Sequence, residues 1–498
     1  MKIWLDTTPL HDPASVADDC DCDCDPDDTY QSTFLTHPVS QNELQTLYTN
    51  VMKQASPLHI QKFIEDNWLV GSPAGLGIIA VLDRSTYRLF DQFRHSRSIA
   101  EVQSSMPDVV PERAAAVAIW LYRMGLLQTD HDITPFQEVK QTLTAWLHIT
   151  NICNLSCSYC YIKKSTEQMG EDTAMQSVDA LFRSANLHHF QKVHLKYAGG
   201  EASLHMARVL AVHDYAAQIA RQHDKELGAT LLTNGVVLSQ QAIDSLKQRH
   251  IHVAISLDGT GIYHDSLRPL RGGQGSFKYV NATIHRLLEN GVSPHISVTV
   301  SQRNLAGLKD LLCYILDLGV SFSLSYYREN DYAIDRVSLQ FGEQEMINTM
   351  REAFTAIEQR LPRRSLLGSL IDKSNLHFTH LRTCGVGNNY LVIDQHGKVA
   401  KCHANIKQTI TTIGSEDPLR VVREDRDGVQ NLSVDEKEGC GTCDWRYWCG
   451  GGCPLLTYRL TGRYNVKSPN CNIYRALFPE ALRLEGLRLL RYETPMEF

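Results

Sequence analysis

The sequence predicts an α/β fold: a partial (β/α)6 TIM-like barrel with an N-terminal winged-helix domain and a C-terminal cysteine-rich domain. Three observations predict it. Strand and helix patterns alternate six times between Leu143 and Asn330, the signature of a parallel sheet. Short apolar strands and three helical patterns fill Leu58–Gln128, and seven of the fourteen cysteines crowd between Cys384 and Cys471. The 498 residues leave room for such parts, at roughly 100–200 residues per domain. With 43% hydrophobic and 21% charged residues, the composition excludes a mainly disordered chain. A net charge of −7 gives no bulk reason to expect nucleic acid or membrane as a partner. No apolar run approaches the ~20 residues that span a bilayer. The opening MKIWLDTTPLHDPAS lacks the apolar core of a secretory signal, so the expected location is cytoplasmic. Thiols there stay reduced, and clustered cysteines read as metal sites.

Residues 1–35 are expected to form a flexible acidic tail, with seven aspartates alternating with Cys20, Cys22 and Cys24 between Asp18 and Asp28. The winged-helix unit occupies 36–130. Strands are expected at Trp68–Val70 and Leu76–Leu82, and helices at Ser85–Phe93, Ile99–Met106 and Pro111–Leu127, the last opening on proline and Glu112 as a helix start should. Such units often bind DNA. Here seven bases (Lys62, Arg84, Arg88, Arg94, Arg97, Arg113 and Arg123) are matched by seven acids between Glu65 and Glu112, so no basic face is predicted.

The barrel spans 140–335. Its strands are expected at Leu143–Thr150, Val193–Ala198, Ala229–Thr233, Ile251–Leu257, His295–Ser301 and Ser321–Tyr327, with helices such as Met175–Leu187, Met206–Gln222, Phe277–Glu289 and Leu305–Leu318 between them. Chemistry belongs at the carboxyl ends of such strands. A helical bridge fills 336–378 (Glu343–Arg360), the cysteine-rich domain 379–475, and a closing helix (Phe478–Tyr492) lies in 476–498. Cys313, mid-helix beside Leu311, Leu312 and Ile315, reads as a core residue.

Directly after the first strand stand Cys153, Cys157 and Cys160. Three thiolates cannot fill a four-iron cube, which needs one ligand per iron, so one iron stays open for a small molecule. A zinc loop is the alternative, and it needs a fourth ligand that the neighbouring sequence does not offer. This C-x-x-x-C-x-x-C motif resembles that of the radical S-adenosylmethionine (SAM) enzymes, and the resemblance covers about Thr144–Asn330. It implies a [4Fe–4S] cluster whose open iron chelates S-adenosyl-L-methionine and cleaves it to a 5′-deoxyadenosyl radical. It also implies SAM contacts: Gly199, Gly200 and Glu201 at the methionine ammonium, Ser256 and Asp258 at the ribose, and the backbone of Tyr159 near adenine. His264, Asp265 and Arg268 follow the ribose motif and read either as loop polars or as further contacts.

The spacing Cys384-x17-Cys402, Cys440-x2-Cys443-x5-Cys449-x3-Cys453 and then Cys471 suits two clusters better than one. It resembles the SPASM extension of radical SAM enzymes. That resemblance implies two auxiliary [4Fe–4S] clusters, one held by Cys440, Cys443, Cys449 and Cys471, the other by Cys384, Cys402 and Cys453 nearer the active site. Leu391–Val399 resembles a hairpin that presents Cys402. In the sulfatase-maturing branch an aspartate base follows the second of these cysteines. Here it is His403, which reads either as a catalytic base or as a supporting histidine.

The front unit resembles, in Ala80–Phe90, Ile99–Met106 and Leu121–Leu127, the peptide-recognition element of enzymes that modify ribosomally made peptides. It would bind a leader peptide as an added strand and so raise the local concentration of the rest at the barrel mouth. The implied function is a SPASM peptide maturase, a radical SAM oxidoreductase that installs a carbon–sulfur or carbon–carbon side-chain crosslink in a ribosomal precursor peptide. A reducing donor such as flavodoxin or ferredoxin is implied, and neither nucleic acid nor membrane is. The alternatives are oxidation of one protein side chain, as in sulfatase maturation, and a winged-helix iron–sulfur regulator without catalysis, for which a SAM pocket would have no use.

Overall fold

The computed structural model describes residues 1–6, 45, 47, 48, 50–73, 78–129 and 141–498. In the front unit, β1 (Lys2–Trp4) precedes β2 (Met52–Gln54), β3 (His59–Lys62), β4 (Trp68–Gly71) and β5 (Ile79–Leu82). The last three form an antiparallel meander. Three helices follow where the sequence expects them: α1 (Arg84–Asp91), α2 (Ile99–Ser105) and α3 (Pro111–Arg123). Asp83 caps α1 by accepting from the Thr86 N–H, and Ser98 with Glu101 forms a capping box on α2. Helix α3 stops short of the expected Leu127. Gly125 takes φ +69°, and the Leu126 N–H folds back onto the Leu121 carbonyl. Leu127 then opens β6 (Leu127–Thr129), which pairs with β2.

The barrel comprises β7 (Thr142–Thr150), β8 (Lys192–Gly199), β9 (Glu226–Thr233), β10 (His252–Ser256), β11 (His295–Val300) and β12 (Phe322–Tyr326), all parallel and neighbours in chain order. Helices over Glu171–Leu187, Met206–Gln222, Gln240–Gln248, Phe277–Glu289 and Leu308–Asp317 cover the outside. Strand β7 shows why this is a barrel wall. All nine residues are buried, and Leu143, Ala145, Leu147 and Ile149 join the main core. The alternate Thr144, Trp146, His148 and Thr150 point to the opposite face, as period two requires.

The cysteine-rich segment does not stand apart, as a boundary at 379 would suggest. Its first strand, β13 (Tyr390–Ile393), pairs in parallel with β7, and β14 (Lys398–Ala400) and β15 (Thr409–Thr412) extend the barrel sheet to nine strands. The β13–β14 pair is the expected hairpin, with Gly397 at φ +75° in its turn. The bridging helix runs Glu343–Glu358, and the closing helix begins at Cys471 itself and runs to Tyr492. Beyond it, β16 (Met496–Glu497) pairs with β1, which pairs with β5, giving a front sheet in the order β16-β1-β5-β4-β3.

Residues 1–6 are therefore sheet and core, with Ile3 and Leu5 buried, rather than the start of a tail. The acidic run and Cys20, Cys22 and Cys24 lie outside the described residues. Cys313 is only half-buried; Leu311, Leu312 and Ile315 take the core side of its helix. The bases and acids of the front unit pair on its surface, as in Arg88–Asp108 at 2.6 Å and Arg94–Asp91 at 2.7 Å.

Candidate active site

The loop after β7 carries the first cysteine trio and is held by backbone bonds to Leu267–Arg271: the Ser156 and Ser158 N–H groups donate to the Pro269 and Leu267 carbonyls, both at 2.9 Å. Its other side rests on the end of β8. The Gly200 N–H donates to Thr150 O at 2.6 Å and the Glu201 N–H to Ile152 O at 2.8 Å. A Cβ on Gly199 would come within 2.4 Å of Thr150 O, and one on Gly200 within 2.3 Å of Ile152 O. The paired glycines thus serve first to seat the cysteine loop, not only to admit a ligand.

Glu201 is buried on the cavity wall. Its carboxylate accepts from the Ser203 N–H (3.0 Å), the Thr233 hydroxyl (2.7 Å) and the Asn234 N–H (2.7 Å). Three fixed donors orient it, and an anion so held suits a cationic ligand. Asn234 also donates to Asn154 Oδ1 at 2.7 Å and lies 3.9 Å from Cys153 Sγ. Thr233 and Asn234 thus fix Glu201, a role that sequence reading did not assign them.

Ser256 lines the same cavity, whereas Asp258 does not. The Asp258 carboxylate is buried and engaged by Arg268 Nε at 2.6 Å, the Thr299 N–H at 2.8 Å and the Tyr159 hydroxyl. These bonds place the Asp258 carboxylate between Arg268 and Tyr159. Arg268 in turn lies 5.2 Å from the Tyr159 ring centre and reaches Cys157 Sγ at 4.0 Å. The Tyr159 carbonyl accepts from Asn330 Nδ2 at 3.0 Å. His264 and Asp265 are structural. His264 accepts from the Asp258 N–H and bonds Ser276, with burial pulling its pKa down to about 4, and Asp265 accepts from the Phe277 N–H.

One cavity of about 230 Å³ joins these parts to the second cysteine group. Cys153, Cys157 and Cys160 line it together with Cys384, Cys402 and Cys453, as do Glu201, Ser256 and Tyr159. His403 lines it too, stacked on Trp146 (centroids 4.5 Å apart) with Nδ1 3.1 Å from the Tyr390 hydroxyl. Cys440, Cys443, Cys449 and Cys471 are not on this wall. They lie together: the Cys443 N–H donates to Cys440 O at 2.8 Å, and Cys440, Cys449 and Cys471 act on one another as neighbouring charges.

The donor set fits iron–sulfur groups. All ten cysteines are free, and none among them pairs as a disulfide. Burial pushes the Cys157 and Cys384 thiols up to about 12 and Cys402 up to about 11, so these buried thiols favour the protonated form unless metal displaces the proton. Cations stand by to meet the charge: Lys164 is lowered by burial but raised more by Cys160, Cys153 and Cys157, ending above its ordinary value. Among the described residues no group of three or more His, Cys, Asp or Glu side chains is arranged to hold one metal ion.

In the front sheet, β1 lies beside β5 and β16 beside β1. The other end of the sheet is β3.

Residues 147–310 match the model of the Radical SAM superfamily. The chain is 25% identical over 346 residues to the antilisterial bacteriocin subtilosin biosynthesis protein AlbA of Bacillus subtilis, covering 64% of this chain and 71% of that protein. It is 24% identical over 237 residues to the sporulation killing factor maturation protein SkfB of the same organism, covering 46% and 54%. Among solved structures, native anSMEcpe with bound AdoMet and Cp18Cys peptide shares the fold at TM-score 0.56 and 18% identity, covering 70% of this chain and 99% of that one.

Proposed function

Residues 147–310 are a radical SAM domain, and from that premise we propose that the chain is a SPASM-type maturase that crosslinks side chains of a ribosomally made precursor peptide. The observation that carries this reading is the shared cavity: two cysteine trios, from widely separated parts of the sequence, face one space with Glu201 and His403 on its wall. Two relatives named for bacteriocin biosynthesis and killing-factor maturation support the substrate class. Cys153, Cys157 and Cys160 would hold the SAM-binding cluster. Cys384, Cys402 and Cys453 would hold the nearer auxiliary cluster, and Cys440, Cys443, Cys449 and Cys471 the farther one. When bound, these groups supply electrons for reductive cleavage of SAM and a sink for the electron left over from bond formation.

The chain's own residues do the rest. Glu201, fixed by Ser203, Thr233 and Asn234, binds the methionine ammonium. Ser256 contributes to the SAM pocket, and Gly199 and Gly200 hold the cysteine loop at the distance Glu201 needs. Arg268 neutralises Cys157 from a position set by Asp258. His403, kept in orientation by Trp146 and Tyr390, takes the proton released when the crosslink forms.

The test gives anaerobically reconstituted, reduced protein SAM and the small peptides encoded beside its gene. Loss of two hydrogens from a peptide, with 5′-deoxyadenosine released, supports the reading. Deoxyadenosine with unchanged peptides contradicts it. A product bearing a new carbonyl and no ring would point to oxidation of one side chain instead.

A further inference from the structure

Lys437 has no part in the chemistry above, yet its placement is costly. It is 3% exposed, and an ammonium withdrawn from water needs compensation. Its Nζ donates to the carbonyls of Gly450 and Gly451, both at 3.4 Å. Those glycines belong to the turn that joins Cys449, of the farther set, to Cys453, of the nearer one. Gly450, Gly451 and Gly452 take φ of +59°, +83° and +70°, and a Cβ on Gly451 would come within 2.7 Å of the lysine's Cδ and Nζ. Three consecutive left-handed residues thus bend the link around the ammonium.

The turn is fastened from its other side as well. The Thr383 hydroxyl, beside Cys384, bonds Gly450 O at 3.0 Å and Gly452 O at 2.9 Å. The Lys437 carbonyl accepts from the Cys440 N–H at 3.0 Å. Burial lowers the ammonium's pKa, and the groups that raise it again are Cys449 and Cys440 of one set with Cys384 and Cys453 of the other.

We propose that Lys437 is a fixed cation between the two auxiliary clusters that raises the reduction potential of both and so draws electrons out of the cavity. A positive charge stabilises the more negative, reduced state of a cluster, and both clusters here feel the same charge. The inference rests on the reading of the seven cysteines as two clusters.

The experiment is an EPR-monitored redox titration of the full, anaerobically reconstituted chain, with iron content measured alongside. In Lys437→Met both auxiliary midpoint potentials should move negative, while the potential of the cluster at Cys153, Cys157 and Cys160 stays put and iron content is unchanged. Lys437→Gln keeps an N–H donor for the glycine carbonyls without the charge and should shift like the methionine variant; it decides the matter if Lys437→Met loses iron. Unmoved auxiliary potentials in an iron-replete variant would overturn the proposal, as would a glutamine variant at wild-type potentials, which would assign the effect to the hydrogen bonds. Wild-type protein that binds iron for fewer than three clusters, one at the SAM site and two auxiliary, would instead overturn the two-cluster reading beneath it.

Discussion

The two cysteine trios and the quartet differ in what they face. Cys153, Cys157 and Cys160 come from one short loop, and Cys384, Cys402 and Cys453 from three distant segments, yet both trios open onto the same cavity. Cys440, Cys443, Cys449 and Cys471 bring four thiols together away from it. Three donors leave a position vacant and four close the shell, as in catalytic and structural metal sites generally. On the proposed reading, incomplete ligation would occur where substrate has access, and complete ligation where only electrons need to travel.

The largest effect that would break this contrast concerns the quartet. Cys440→Ala should cost about four iron atoms per chain, one cluster's worth, and abolish crosslinked product while peptide-free SAM cleavage persists. Iron analysis and deoxyadenosine quantification read both. If SAM cleavage vanished with it, the quartet would not be a separate site. His403→Ala should lower crosslinked product roughly 10- to 100-fold and leave deoxyadenosine release in place, as measured by product mass spectrometry. Equal loss of both would make His403 a structural support of the cavity. Glu201→Gln should weaken SAM binding about tenfold, read by equilibrium dialysis, with the iron content retained. Asp258→Asn tests whether that carboxylate serves to hold Arg268 or to meet the ribose. It should lower the melting temperature, because Arg268 loses its buried partner, while changing SAM affinity less than about threefold; a large loss of affinity would point to the ribose contact.

Much of this was legible in the sequence for local reasons. A C-x-x-x-C-x-x-C loop sits just after a strand whose alternation is plain, and the helices Met206–Gln222 and Phe277–Glu289 have the expected bounds because amphipathic spacing is set by residues a few positions apart. What escaped were pairings between distant segments. Strands β1 and β16 are three and two residues long and carry no periodicity of their own; their pairing with each other, and that of β1 with β5, makes them strands. The pairing of β13 with β7 likewise spans the whole barrel in sequence. At the site, the roles of Lys164, Thr233, Asn234 and Lys437 depend on which thiol or carboxylate stands beside them, and a single lysine or threonine in sequence gives no sign of that. Asp258 shows the converse: its place in a familiar motif suggested a ligand contact, and the structure sets its carboxylate between Arg268 and Tyr159.

The central claim, that the loop after β7 holds a cluster open to SAM, is tested most directly by replacing Cys153, Cys157 and Cys160 together with alanine and measuring iron, EPR signal and deoxyadenosine on the same anaerobic preparation. The account predicts a loss of about four iron atoms, disappearance of the one signal that SAM perturbs, and no deoxyadenosine, with the auxiliary signals intact. Undiminished SAM cleavage by that variant, or wild-type protein that carries zinc in place of iron and sulfide, would contradict it.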